Sequence, residues 1–213
     1  MTSSQISLRN EEFWNTITHG IGTVLAIAAL VLMLVYSSLY GSTLEIICST
    51  VFGLSLTFQY AASTFYHAAT NARKKYYLKR VDHLCIYLLI AGTYTPVLLI
   101  GLKGAWGWTM FGCIWALVVL GFIFKFSRLR RSKKLSLSLY ALMGWLIVIA
   151  AKPMIESLSP EALTYIVLGG LAYTVGIFFY AYEKIPFNHA IWHLFVLAGS
   201  LLHFLGIFWY ILP

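Results

Sequence analysis

The run 188-NHAIWHLFVLAGSLLHF-204 is apolar almost to the C-terminus, yet it carries three histidines. Extended to residue 211, it supplies the roughly 20 apolar residues that a helix needs to cross a bilayer core. Working outward, six more windows of that grade appear when the chain is cut at its polar clusters, near 16–37, 43–67, 82–101, 106–124, 136–151 and 162–182. The sequence therefore predicts an all-α polytopic membrane protein, a seven-transmembrane helix bundle in which residues 1–213 form one domain. No linker long enough to separate two domains appears, and the longest connections, 69–81 and 125–135, read as short basic loops.

Composition points the same way. Of 213 residues, 60% are hydrophobic and 10% charged, against about 25% charged in an ordinary soluble domain. The first window is preceded by the acidic pair Glu11 and Glu12 and not by a basic segment, so it reads as a retained span and not a cleavable signal. The net charge of +8 does not indicate nucleic acid, because the basic residues sit in short loops and not on one amphipathic face.

Those loops set the topology. Thirteen of the fifteen basic residues fall on one side: Arg9; Arg73, Lys74, Lys75, Lys79 and Arg80; Lys125, Arg128, Arg130, Arg131, Lys133 and Lys134; and Lys184. Only Lys103 and Lys152 fall on the other. The positive-inside rule then predicts a cytoplasmic N-terminus and an outer C-terminus. The cluster from Arg128 to Lys134 is read as an anchor that also meets anionic lipid head groups. Aromatic belts fit this register, with Tyr40, Trp106, Trp108, Trp209 and Tyr210 at outer ends and Trp14, Tyr76, Tyr77 and Tyr182 at inner ends. Cys48, Cys85 and Cys113 lack a CxxC spacing and read as packing residues. Pro96, in "GTYTP", is expected to kink the third span.

Sorting polar residues by depth exposes a pattern. His19, His67, Asp82, His83, His189 and His193 all fall in the inner layer of the predicted bundle. A single membrane histidine is more often an interhelical hydrogen-bonding group than a ligand. Six ionisable groups at one depth point instead to a shared site, since each is costly inside a membrane and needs a partner. His189 and His193, four apart, share a helix face. With His67 they make a three-imidazole set with one position open, the pattern of a catalytic zinc site, although iron, nickel and copper also accept imidazole. Asp82 is either a fourth ligand or, the favoured role, the group that holds and deprotonates metal-bound water. Ser63, one turn before His67, orients a ligand or donates to an oxyanion, unless it bonds its own helix as serines in spans commonly do. His203, ten residues beyond His193, is about 15 Å farther along the helix and reads as an interhelical contact.

Taken together, three blocks resemble the hemolysin III proteins, the bacterial branch of the progestin and adipoQ receptor superfamily to which adiponectin receptors belong. They are Glu12, Asn15, Thr18 and His19 in "EFWNTITHG"; Ser63 and His67 in "STFYH", followed by Asp82 and His83; and His189, His193 and His203. "GTYTP" is also similar to the bacterial branch. The resemblance implies that His67, His189 and His193 bind Zn2+ and that Asp82 meets the ion through water, with Glu12, Asn15, His19 and His83 as supporting residues around the ligands. It further implies a ceramidase-like hydrolase of membrane lipid amides or esters, in which Ser63 assists the oxyanion. Two other readings stay open: a non-catalytic hemolysin or membrane-homeostasis protein with a structural zinc, and an ion or proton transporter that uses the histidines as a relay.

Overall fold

A computed structural model of the chain describes residues 3–127, 132–182 and 184–213, with side chains from Asn10 onward. Arg128, Arg130 and Arg131 therefore lie outside the described residues, as does the side chain of Arg9. Among the described residues there is no strand, and eight α-helices build seven long apolar spans. They are α1 (Ser3–Tyr40), α2 (Thr43–Ala68), α3 (Ala72–Pro96), α4 (Gly104–Phe126), α5 (Lys133–Trp145), α6 (Ala151–Ser157), α7 (Pro160–Ala181) and α8 (Asn188–Tyr210).

Local chemistry fixes the helix ends. Ser42 and Glu45 form a capping box at the start of α2. Ser159 caps α7, with Pro160 in its first turn, where the missing N–H is no loss. The expected basic loop over 69–81 is corrected, because α3 already begins at Ala72. Asn71 accepts from the Lys74 N–H at 3.0 Å, and the Arg, Lys, Tyr and Leu residues that follow are compatible with helix once such a cap is in place. Asp82 is consequently held in the body of a helix and not at its fraying end.

Two spans change helix type on the way across. Pro96 ends α3, and Val97–Leu102 continue as a π-helix, so the expected kink takes the form of a change in winding. Span five breaks between α5 and α6 into a 3-10 turn, Leu146–Ala150. The break is filled from α3: the Tyr94 hydroxyl donates to the carbonyls of Met143 and Gly144, each at 2.9 Å, and accepts from the Ile147 N–H at 3.0 Å. Backbone groups freed inside a membrane need such partners, because no water is present to meet them.

The most extensive packing is between α1 and α2, α2 and α3, and α7 and α8, and α1 also packs on α8. Small residues allow this closeness. A Cβ on Gly92 of α3 would come within 2.2 Å of Ser55 on α2, and one on Gly176 of α7 within 2.9 Å of Phe195 on α8. Apolar side chains such as Val24, Leu32, Val119, Ile123, Ile149 and Ile155 face outward, where lipid covers them. All nine aromatics assigned to the interfacial belts are exposed at helix ends or flanks.

Candidate metal centre

α2 delivers His67 at its last turn, α8 delivers His189 and His193 at its first two turns, and α1 packs against both helices. One ring nitrogen from each of the three histidines lies within 4.8 Å of the others. His67 and His193 are buried and His189 is half-buried. These residues can hold a metal ion.

The hydrogen bonds around the rings determine which nitrogens are free. His67 Nδ1 is 2.7 Å from Glu12 Oε2, so it carries the proton and donates to the carboxylate. The other Glu12 oxygen pairs with Lys75 Nζ at 2.9 Å. His193 Nδ1 is 3.1 Å from Thr18 Oγ1. That hydroxyl has its single hydrogen directed at the Trp14 and Asn15 carbonyls, 2.9 and 3.1 Å away, so it must accept from His193. In both rings Nε2 is left as a buried lone pair with no hydrogen-bond partner. A carboxylate or hydroxyl on one nitrogen that fixes the tautomer and aims the other is the usual support of a metal-ligating histidine. An unpartnered buried acceptor is otherwise costly. The donor set therefore fits a metal ion on grounds internal to this structure.

The neighbours sort themselves by contact. His19 stacks on His193 with centroids 3.4 Å apart and planes 12° from parallel, and it meets the edge of Tyr60 at 5.0 Å. It supports the ligand by packing, and neither of its nitrogens hydrogen bonds to another described residue. Asn15 is buried beside it. Asp82, buried on α3, stands outside the histidine set and accepts from Gln59 Nε2 at 3.2 Å. Thr57 and Thr64 of α2 donate to backbone carbonyls, whereas the neighbouring Ser63 hydroxyl interacts with Asp82. His83 is joined to α5 by its backbone carbonyl, which accepts from Tyr140 at 3.1 Å. His203 lies apart from the three, with Nε2 bonded to the Ile166 carbonyl of α7 at 3.0 Å, an interhelical contact as its spacing suggests.

Several participants escape sequence reading. Gln59 was legible in principle, since Gln59, Ser63 and His67 recur every fourth residue and so form one stripe of α2. The pairing of Lys75 with Glu12 was not, because it joins two helices through a turn of α3 that reads as loop. A buried hydroxyl chain, Tyr60 to Ser200 at 2.6 Å and Tyr173 to Ser200 at 2.7 Å, ties α2, α8 and α7 together one layer deeper. His67, His189 and Asp82 open on a cavity of about 930 Å³ that runs between α3, α5, α7 and α8 as far as His203.

The family described as haemolysin-III related matches this chain over residues 7–204. The chain belongs to the haemolysin-III family. It is 45% identical over 203 residues to Hemolysin-3 of Bacillus cereus, covering 95% of this chain and 93% of that one. It is 46% identical over 200 residues to the Hemolysin-3 homolog of Bacillus subtilis (strain 168), covering 94% of each. The human Monocyte to macrophage differentiation factor is 30% identical over 175 residues, 78% of this chain and 71% of that one, which extends the relationship to the adipoQ receptor-like group. With seven apolar spans, this haemolysin-III member is a multi-pass bacterial membrane protein.

Proposed function

We propose that this haemolysin-III protein is a zinc-dependent hydrolase of membrane lipid amides or esters. The observation that carries the reading is the pair of aimed lone pairs: His67 Nε2 and His193 Nε2, each buried, unpartnered and tautomerically fixed from behind. His189 completes the ligand set. When bound, the ion supplies a water acidified toward neutral pH and an electrophile for a carbonyl oxygen. Zinc is favoured over other metals by three neutral imidazoles with room for an exchangeable group.

The remaining steps belong to the chain. Asp82 takes the proton of the attacking water and returns it to the leaving amine or alcohol, the two halves of general base and general acid work. Gln59 and the Ser63 hydroxyl hold the Asp82 carboxylate, and once Asp82 has taken up the proton the Ser63 hydroxyl turns to donate to the oxygen on which negative charge develops. The cavity accepts the substrate from the membrane, and its apolar walls at Leu89, Ile90, Leu137 and Ile177 suit an acyl chain.

The test is metal analysis of purified wild-type, His193→Ala and Asp82→Asn proteins, with a screen of lipid-amide and lipid-ester hydrolysis. Wild type should carry stoichiometric zinc and hydrolyse a lipid. His193→Ala should lose both properties. Asp82→Asn should keep the zinc and lose hydrolysis by at least the roughly 100-fold that a general base contributes. Zinc retained without hydrolysis in the wild type would leave the ion a structural role, joining α2 to α8.

A further inference from the structure

Lys125 is the buried charge that the hydrolase reading does not use. It sits near the end of α4, only 6% exposed, and lines the same cavity as His67, His189 and Asp82. Its ammonium donates to Ser136 Oγ at 2.9 Å, while that hydroxyl gives its own hydrogen to the Ser132 carbonyl at 3.1 Å. The Tyr140 and Phe124 rings stand 5.4 and 5.6 Å from it. Among the described residues no carboxylate forms an ion pair with it, and Asp82 acts on it only from farther away.

Among the described residues this buried ammonium has one neutral hydrogen-bond partner and no paired carboxylate, and a charge kept inside a spanning bundle marks a substrate path by default. Among the described residues three more cations line the cavity, Lys133 of α5 and Lys79 and Arg80 of α3, with Arg80 held over the Tyr76 ring at 4.3 Å, while the Glu11 and Glu12 carboxylates lie on its α1 wall. Along α3 the order is then Lys79 and Arg80, next Asp82, and beyond it the apolar Leu89 and Ile90. A lipid lying in such a cavity meets positive charge at its head, the histidine centre at its linkage and apolar walls along its chain.

We infer that the lipid taken by this chain carries an anionic, phosphate-bearing head, seated by Lys125 together with Lys79 and Arg80. An ammonium suits a phosphate as a compact point charge with several donors. The inference rests on the hydrolase reading for the placement of the linkage, but the seat is testable by binding alone.

The probes are 1-oleoyl lysophosphatidic acid and 1-oleoylglycerol, which differ only by the phosphate. Affinity is read from tryptophan fluorescence of the full chain in maltoside micelles, since Trp145 and Trp192 line the cavity. Wild type should bind the phosphate lipid about tenfold more tightly, the factor one charge-assisted contact supplies. Lys125→Met should erase that preference, Lys125→Arg should keep most of it, and Lys79→Gln, at an exposed position, should narrow it. The unfolding temperature of lipid-free Lys125→Met should hold or rise, because an unpaired buried charge is removed. Equal affinities in the wild type, a preference surviving in Lys125→Met, or a fall in its unfolding temperature would overturn the seat. So would Lys125-dependent displacement of the lipid by inorganic phosphate at equal concentration, which would mark a site for the free anion. His193→Ala should retain the preference, since binding needs no turnover. Tight binding of the phosphate lipid with no hydrolysis anywhere in the lipid-amide and lipid-ester screen would leave the seat standing and sink the hydrolase. Hydrolysis of both probes at equal kcat/KM, with equal affinity, would do the reverse.

Discussion

At the scale of single residues, the candidate centre depends on groups that are not themselves in the ligand set. Glu12 orients the His67 ring from behind, and Thr18 does the same for His193. Replacing such a partner costs about 10- to 100-fold in metal affinity, so Glu12→Gln should lose zinc to a competing chelator at correspondingly lower concentrations. Lys75→Met, which leaves the Glu12–His67 bond in place, should not. Competition titrations on the two purified variants check the contrast. The three histidines were legible in the sequence because helix periodicity and charge bias place them at one depth. Glu12 was legible only through family resemblance, since nothing in its spacing relates it to a residue on another helix. Lys125 was counted among the basic loop residues that set the topology, because a lysine beside a basic run gives no sign that its ammonium turns inward.

At the scale of elements, apolar windows reveal that spans exist but not how each one is wound. The expected span of 136–151 becomes α5, a 3-10 turn and α6. What makes the break tolerable is a hydroxyl from a different helix, and no property of the local sequence announces it. Tyr94→Phe removes that hydroxyl and leaves the Ile147 N–H and two carbonyls without their bonds. Such losses cost about 1–3 kcal/mol for a buried unsatisfied group, so thermal unfolding in detergent should move to lower temperature. The metal content of the folded protein should be unchanged, because the break lies beyond the centre. The early start of α3 is the converse case: Asn71 is a recognisable cap, but the charge density after it favours a loop reading until the cap is seen to be engaged.

At the scale of the whole molecule, the candidate centre brings α2 and α8 together beside α1, where an ion would fasten them, and the Tyr60–Ser200–Tyr173 chain joins α2, α8 and α7 one layer deeper. A ligand that binds only the folded bundle stabilises it by mass action, about 4 kcal/mol at a thousand times its dissociation constant. Adding a strong chelator should therefore lower the unfolding temperature of the wild type, and should leave His67→Ala where it was. A scan of both proteins with and without chelator decides the matter. The helical class and the bundle were readable from hydropathy alone, whereas the cavity was not, because it arises from how sparsely α5 packs on α3 and α7. One consequence concerns the birth of the protein. His67 enters the membrane with the second span, and its two partners enter only with the seventh. The three-histidine pocket cannot exist until the ribosome has released nearly the whole chain, so capture of an ion there would be the last event of biogenesis and a natural marker of completed insertion.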